Sequence, residues 1–354
     1  MKVTFPPWGN YTIAFEALFQ KLGVEVIPPP KINSKVIEEG VKISPEMYCF
    51  PLKTNVGSYL DAIRRGAEVI VMVTSCTGSC RLRYYGDVQK KVLEEAGHKV
   101  DFIIFDQNPF DLYSKIKEIS GASFWQIIKA LLFSYQKLKI IEWLEKKAWY
   151  LRAREKKKGE TDEIFEDALR RLREIQEFKE ITRFKKELLK RISKIPLEED
   201  KKVPRVGIIG EIFTVCDSGV NFEIEKKLGR EGIEVHREMD LTYHLKKRLF
   251  PWKDWQIQRE IMPYLQSTVG GHGRDAVCEM LRYVKEGFDG VIQLLPMGCM
   301  PETTVRPILE RIHLHSGIPF LSLSLDEQVA EAGINTRLEA FVDVVRNYYN
   351  RKHY

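Results

Sequence analysis

The sequence has no uninterrupted apolar run that approaches the roughly 18 residues a membrane-spanning helix needs. Its first residues, MKVTFPPWGNYTIAFEALF, lack the short apolar core and the small-residue cleavage site of a secretory signal. The hydrophobic share of 44% and the charged share of 30% are ordinary for a soluble globular protein. We therefore expect a soluble, cytoplasmic protein that makes no membrane contact.

Nucleotide-binding loops are also missing. No G-x-x-x-x-G-K-[ST] phosphate loop occurs, and no G-x-G-x-x-G follows the first predicted strand. Gly270, Gly271 and Gly273 precede a predicted helix and could hold an anion at its N-terminus, but a glycine-rich connection explains them better. Any nucleotide chemistry is therefore expected to belong to a partner.

The sequence contains few cysteines. The six are Cys49, Cys76, Cys80, Cys216, Cys278 and Cys299. Because no oxidising compartment is expected, they are better candidates for metal ligands or core residues than for disulfides. Only Cys76 and Cys80 form a close pair, whereas structural zinc sites usually repeat such a pair. A radical-forming cluster motif would need a cysteine where Arg83 stands, and ferredoxin spacing is absent.

The net charge of +6 is confined to one segment. Residues 137–205 contain 22 Lys and Arg against 15 Asp and Glu. This segment mixes both signs and lacks the interleaved aromatic platforms of a nucleic-acid surface. We interpret it as a solvated helical surface and expect no nucleic-acid partner.

The length of 354 residues exceeds what one hydrophobic core usually supports, so two domains are expected. Short β-branched runs such as 69–73 alternate with helical patterns such as 11–22, which Gly23 ends. We predict an N-terminal α/β domain over 1–110, a helical segment over 111–202 and a C-terminal α/β domain over 203–354.

The two predicted α/β domains echo each other. RRGAEVIVMVTSCTGSC resembles KEGFDGVIQLLPMGCMPE, and aligning Gly66 with Gly287 places Cys299 between the positions of Cys76 and Cys80. Two equivalent strands then present cysteines at their carboxyl ends, where ligands bind in open α/β sheets. The expected fold is two related doubly wound, Rossmann- or flavodoxin-like domains with parallel sheets and a helical segment between them. The cysteines are expected to hold an iron–sulfur cluster between these domains.

Local sequence separates the cysteines into two groups. Four of them lie in segments rich in Pro, Gly, Ser and Thr, namely Cys49, Cys76, Cys80 and Cys299. Backbone N–H groups in such turns can stabilise an anionic cluster. The local sequence around Cys216 and Cys278 fits a buried core thiol as well as it fits a metal ligand.

Two other side chains are candidates for the chemistry. Arg83 follows the close cysteine pair and can stabilise a reduced cluster or orient a substrate, although pairing with surface acids explains it equally. His272 lies beside the glycines and is a candidate proton donor, with a structural role as the alternative.

Five segments resemble the superfamily of 2-hydroxyacyl-CoA dehydratase and benzoyl-CoA reductase components. They are CFPLKTNVGSYLDAIRRGAEVI, CTGSCRLRYYGDVQ, SGVNFEIEKKLG, GGHGRDAVCEMLRYV and PMGCMPETTVRPIL, and the likeness spans nearly the whole chain. In this superfamily, dehydratase subunits carry a [4Fe–4S] cluster on three cysteines, whereas double-cubane proteins hold an [8Fe–9S] centre with three cysteines per cubane. The total of six cysteines favours the double cubane. The resemblance then assigns Cys49, Cys76 and Cys80 to one ligand set and Cys216, Cys278 and Cys299 to the other.

The same resemblance implies a division of labour. A separate homodimeric ATPase with its own [4Fe–4S] cluster supplies single low-potential electrons, and small molecules are reduced at the double-cubane cluster. We therefore expect a homodimeric, oxygen-sensitive reductase component that uses ATP only through its partner. Two alternatives stay open: a dehydratase subunit with a single [4Fe–4S] cluster, and a non-catalytic protein that stores or transfers clusters.

Overall fold

The computed structural model describes residues 1–74, 80–106, 108–198, 201–250, 252–267 and 269–353, with backbone only at 248, 249, 253 and 254. The chain divides into two compact units. The first comprises Met1–Ile141 and Leu169–Phe184, and the second comprises Glu142–Ala168 and Lys185–Tyr354. The helices of the segment predicted over 111–202 are therefore shared between both units.

The first unit is built on a parallel sheet with the strand order β2-β1-β3-β4. Its strands are β1 (Lys2–Thr4), β2 (Glu25–Val26), β3 (Val69–Thr74) and β4 (Asp101–Asp106). The β-branched run of β3 is almost entirely buried and pairs in parallel with both β1 and β4, as its composition predicts. The first six helices of the chain all begin in this unit, and they are α1 (Thr12–Lys21), α2 (Ser34–Ile43), α3 (Phe50–Arg64), α4 (Tyr85–Glu95), α5 (Pro109–Ser120) and α6 (Phe124–Arg152).

The second unit repeats this topology with the strand order β6-β5-β7-β8, again entirely parallel. Its strands are β5 (Arg205–Gly210), β6 (Glu234–His236), β7 (Gly290–Pro296) and β8 (Phe320–Leu325). The remaining helices are α7 (Glu160–Glu174), α8 (Phe178–Ile192), α9 (Ile212–Cys216), α10 (Ile224–Arg230), α11 (Leu241–Leu249), α12 (Trp252–Ile261), α13 (Gly273–Lys285), α14 (Met300–Ser316) and α15 (Glu331–His353). The prediction of two related doubly wound α/β domains with parallel sheets is confirmed.

Each sheet has its own hydrophobic core. In the first unit, β1 and β3 pack against α1 through Val3, Phe19 and Val71. In the second, α12, α13 and α14 form a core that includes Ile261 and Leu309. Within the described residues, no helix is both long and apolar enough to cross a membrane.

The connections place particular residues at the carboxyl edge of each sheet. In both sheets the chain leaves the first strand for one neighbour and later returns to pair on the other side. The carboxyl ends of β1 and β3, and likewise of β5 and β7, therefore form the switch point at which ligands bind in open parallel sheets. The residues that follow these strands, and those that begin the helices leading back to them, lie at this edge.

Candidate metal centre at the carboxyl edges of the sheets

Cys49 lies at the start of α3, whose C-terminus leads into β3, so it is at the carboxyl edge of the first sheet. Its backbone is extended (φ −70°, ψ 151°), and Pro51 occupies the first turn, where a missing N–H costs nothing. The side chain is buried and its sulfur forms a hydrogen bond with the hydroxyl of Tyr85. Cys49 is thus a buried thiol at the N-terminus of α3.

Cys80 is brought to the same part of the first unit. It precedes the helical turn Arg81–Tyr84, and its sulfur accepts a hydrogen bond from the Leu82 amide at 3.5 Å. Arg81 donates to the carbonyl oxygen of Met47 at 2.7 Å. This contact joins the segment that carries Cys80 to the segment that carries Cys49. Cys76, the third cysteine predicted here, lies outside the described residues.

Arg83 follows Cys80 but projects from the surface. Its residue is exposed, and its guanidinium lies 5.6 Å from the ring centroid of Tyr84. The catalytic role of Arg83 stays a prediction.

In the second unit, Cys216 ends the short helix α9, which directly follows β5. Asn221 fixes this helix by donating to the carbonyl oxygens of Thr214 and Val215 at 2.9 and 3.1 Å. The thiol is 5% exposed, and Arg237 Nη1 donates to its sulfur at 3.1 Å. Burial raises the pKa of Cys216 well above its ordinary value, so metal binding here must displace a proton.

Cys299 follows β7, the strand that pairs with β5. It is the residue before α14, with Pro301 in the first helical turn, and it is 6% exposed. The sequence Cys-x-Pro therefore begins a helix at both Cys49 and Cys299. The position of Cys299 at the carboxyl end of the central strand agrees with the alignment of Gly66 and Gly287.

Cys278 has a different environment. It lies inside α13, is 1% exposed and belongs to the hydrophobic core shared with α12. Its thiol donates to Glu260 Oε2 at 3.2 Å, and burial raises its pKa to about 12. The position aligned with it in the first unit is Gly57 in α3, which packs closely on α2. These contacts are those of a protonated core thiol, and ligation by Cys278 stays a prediction.

His272 precedes α13 and lies with its ring centroid 5.5 Å from that of His244. Desolvation and the neighbouring His244 lower the pKa of His272 to about 3, so the ring is neutral at pH 7. A neutral imidazole retains one N–H but is not the imidazolium that an acid catalyst uses. A Cβ at Gly273 would lie 3.0 Å from the Pro301 carbonyl oxygen, so this glycine permits close packing against the start of α14.

The structure adds buried ionisable side chains that the sequence did not mark as candidates. Glu302 follows Cys299 by three residues and is fully buried, as is Glu279 in α13. Among the described residues, neither carboxyl oxygen of Glu279 has a hydrogen-bond partner, and Oε1 of Glu302 also has none. Arg237 comes directly after strand β6, a placement at the carboxyl edge that could have marked it.

These residues provide a donor set suited to iron and sulfide. Cys49 and Cys80 share one region of the first unit, and Cys216 and Cys299 follow the two paired central strands of the second. Thiolates near helix N-termini and turn amides match the chemistry of an anionic iron–sulfur cluster. Among the residues the structure describes, no three His, Cys, Asp or Glu side chains are close enough to hold one metal ion. Cys278 is the member of the predicted second set that fits least.

Two family models match the chain. Residues 8–73 match the CoA enzyme activase uncharacterised domain, a range that includes Cys49. Residues 176–345 match the 2-hydroxyglutaryl-CoA dehydratase D-component, a range that includes all three cysteines of the second unit. None of the curated proteins compared with the chain matches it. The N-terminal segment is therefore similar to the activase-domain family, and the segment that contains Cys216, Cys278 and Cys299 is similar to the dehydratase D-component family.

Proposed function

We propose that this chain is the catalytic component of an ATP-dependent low-potential reductase. A separate homodimeric ATPase with a [4Fe–4S] cluster delivers single electrons, and small molecules are reduced at an [8Fe–9S] double-cubane cluster on this chain. The match to a dehydratase D-component supports a dehydratase-type enzyme component, and the match to an activase domain supports an activating partner. The chain is proposed to work as a cytoplasmic homodimer.

One observation carries this proposal. Two sheets of identical topology each place cysteines at the carboxyl edge. Cys80 comes after β3 in the first unit, and Cys299 comes after the equivalent strand β7 in the second. Cys80 follows the end of β3 by six residues and Cys299 follows the end of β7 by three, so both lie shortly after equivalent strands. The edge is also where parallel sheets hold ligands.

The residues of the chain have defined tasks in this proposal. The predicted ligands are Cys49, Cys76, Cys80, Cys216, Cys278 and Cys299. When bound, the cluster supplies the capacity to hold low-potential electrons. The positive ends of α3 and α14 face Cys49 and Cys299 and stabilise their negative sulfurs. Burial of these thiols excludes water, which protects reduced metal from side reactions.

The test is an iron and sulfide count on chain purified without oxygen. We expect about eight iron ions per chain for a double cubane. Cys80→Ser and Cys299→Ser should each lose part of the iron, whereas Met300→Leu should keep it. Met300 neighbours Cys299 and is 52% exposed, so this variant controls for disturbance of the start of α14. A chain that binds no iron would contradict the proposal.

A specific observation favours a second candidate, a dehydratase component with one [4Fe–4S] cluster. Cys278 belongs to a hydrophobic core and donates a hydrogen bond to Glu260 at the edge of that core, as a thiol that binds no metal does. A cluster with an open iron needs only three cysteines and can leave Cys278 unused.

Cys278→Ser separates the two candidates. Serine is close in size and still donates to Glu260, so the variant should fold. The double cubane predicts loss of about half the iron in Cys278→Ser, in line with three thiolates per cubane. Unchanged iron in this variant, with about four iron ions in the wild type, would establish the single cluster instead.

A further inference from the structure

Arg237 is a fully buried cation at the carboxyl edge of the second sheet. It lies directly after β6, and its side chain is 1% exposed. Transferring a guanidinium from water into a protein interior costs on the order of several kcal/mol. The hydrogen bonds and ion pairs of Arg237 must offset this cost. The contacts of Arg237 therefore indicate why it is there.

Three elements hold the guanidinium in place. Nη2 donates to Glu145 Oε2 of α6 at 2.7 Å, and Nε lies 3.0 Å from Glu225 Oε1 of α10. Nη1 also donates to the Met239 carbonyl oxygen at 3.2 Å. Trp149 packs against the cation, with the ring centroid at 5.3 Å, and its indole N–H donates to Glu225. The plane of the guanidinium is thus fixed from several sides.

The remaining direction of Nη1 points at sulfur. Nη1 donates to Cys216 Sγ at 3.1 Å, and this sulfur is itself buried. Because Nη2 is held by the Glu145 carboxylate and Nη1 also donates to the Met239 carbonyl oxygen, the N–H that meets the sulfur is aimed by the geometry of the fork. A lysine ammonium has no such planar fork and would not reproduce the set.

We propose that Arg237 is a positioning residue for Cys216, and that its N–H···S hydrogen bond raises the reduction potential of the metal centre bound there. The inference rests on the proposed function, in which Cys216 is a ligand. Reduction adds negative charge, and a hydrogen bond or a cation at a ligand sulfur stabilises the reduced form more than the oxidised form.

The charge balance sharpens the expected effect. Glu145 and Glu225 place two carboxylates around one guanidinium, so loss of Arg237 leaves two negative groups near the sulfur. The loss of the N–H···S hydrogen bond disfavours reduction of the metal centre, and so does the uncompensated negative charge of the two carboxylates. The two effects act in the same direction.

The experiment is a redox titration of the iron-loaded chain, monitored by electron paramagnetic resonance. Arg237→Gln should shift the midpoint potential to a lower value, and Arg237→Lys should give a smaller shift because it keeps the charge. Arg205→Gln is the matched control, since Arg205 lies at the opposite end of β5 and donates to the Glu286 carbonyl oxygen at 2.9 Å. The control should retain the wild-type potential.

A variant that removes the charge can fail to fold because it strands Glu145 and Glu225. The double variant Arg237→Gln, Glu145→Gln removes one stranded charge and should still show the lower potential. Equal potentials in the wild type and the Arg237 variants, with iron bound, would overturn this inference alone. A chain without iron would overturn the proposed function, and iron that survives Cys216→Ser with an unchanged potential would overturn the assignment of Cys216.

Discussion

At the scale of single residues, the second unit buries carboxyl groups that cannot all be ionised. Glu302 Oε2 accepts a hydrogen bond from Gln293 at 3.0 Å, while Glu211 and Asp275 add negative charge nearby. Burial, together with these neighbours, raises the pKa of Glu302 to about 8. Glu302 therefore carries a proton at neutral pH.

This proton makes stability depend on pH. The pKa of Glu302 is near 4.5 in the unfolded chain and about 8 in the folded one, so between these values only the folded state binds the proton. The free energy of unfolding should fall as pH rises through this window, by an amount on the order of a few kcal/mol. Glu302→Gln should flatten this dependence and be the more stable protein near the upper end of the window.

Urea denaturation of both proteins across the window measures the slopes. Glu310→Gln serves as the control, because Glu310 lies on the same helix, is about half exposed and pairs with Arg306 on the surface. Equal slopes for the wild type and Glu302→Gln would contradict the assignment of the proton to Glu302.

Sequence reasoning reached the cysteines but not their partners. Cys80 and Cys299 could be placed at strand ends because a β-branched run precedes each of them. Arg237 could not be paired with Glu145, since 92 residues separate them and only the fold brings them together. Cys278 in an amphipathic pattern was compatible with either role, and its contact with Glu260 depends on how α12 packs.

At the scale of elements, the strands were predicted more closely than the helix starts. The strand expected over 69–73 is Val69–Thr74, because apolar β-branched runs have few alternatives. Helix α3 begins at Phe50, where Pro51 occupies the first turn. Residues 50–60 are all buried, so no alternation of apolar and polar side chains marks this start in the sequence.

The packing of α2 on α3 gives an element-scale prediction. A Cβ at Gly57 would overlap the Val36 carbonyl oxygen, and one at Gly40 would overlap that of Lys53. Gly57→Ala should therefore force the helices apart and lower the free energy of unfolding by about 2 to 4 kcal/mol. Thermal or urea denaturation measures this loss.

Gly333→Ala is the matched control for the same substitution in a helix. No atom lies within 4 Å of a Cβ built at Gly333 in α15, so alanine should raise stability by about 0.5 to 1 kcal/mol. A Gly57→Ala protein as stable as the wild type would show that the two helices separate without cost.

At the scale of the whole molecule, the duplicated sheet was predictable and the division of the helices was not. The alignment of Gly66 with Gly287 identified equivalent strands, and both sheets have the same strand order. The long α6 contributes residues to both units, up to Ile141 in one and from Glu142 in the other. Apolar residues are distributed almost evenly around α6, so its sequence does not mark where one unit ends and the other begins.

Removal of the metal gives a prediction at this scale. The proposed ligands come together only where the chain is folded, so metal bound to them would stabilise the folded state alone. The loaded protein should melt roughly 5 °C or more above the metal-free chain. Calorimetry without oxygen, before and after chelation, measures the difference, and equal melting temperatures would contradict ligation by folded-state cysteines.

The start of the helix before the second central strand differs between the duplicated units. Cys49 holds this position ahead of α3, whereas His272 holds it ahead of α13. Cys216 follows β5, while no cysteine follows β1 before α1. Duplication therefore preserved the strand order but not the cysteine positions. If these cysteines hold the proposed cluster, its two halves have unlike neighbours, and we expect an added electron to favour one of them.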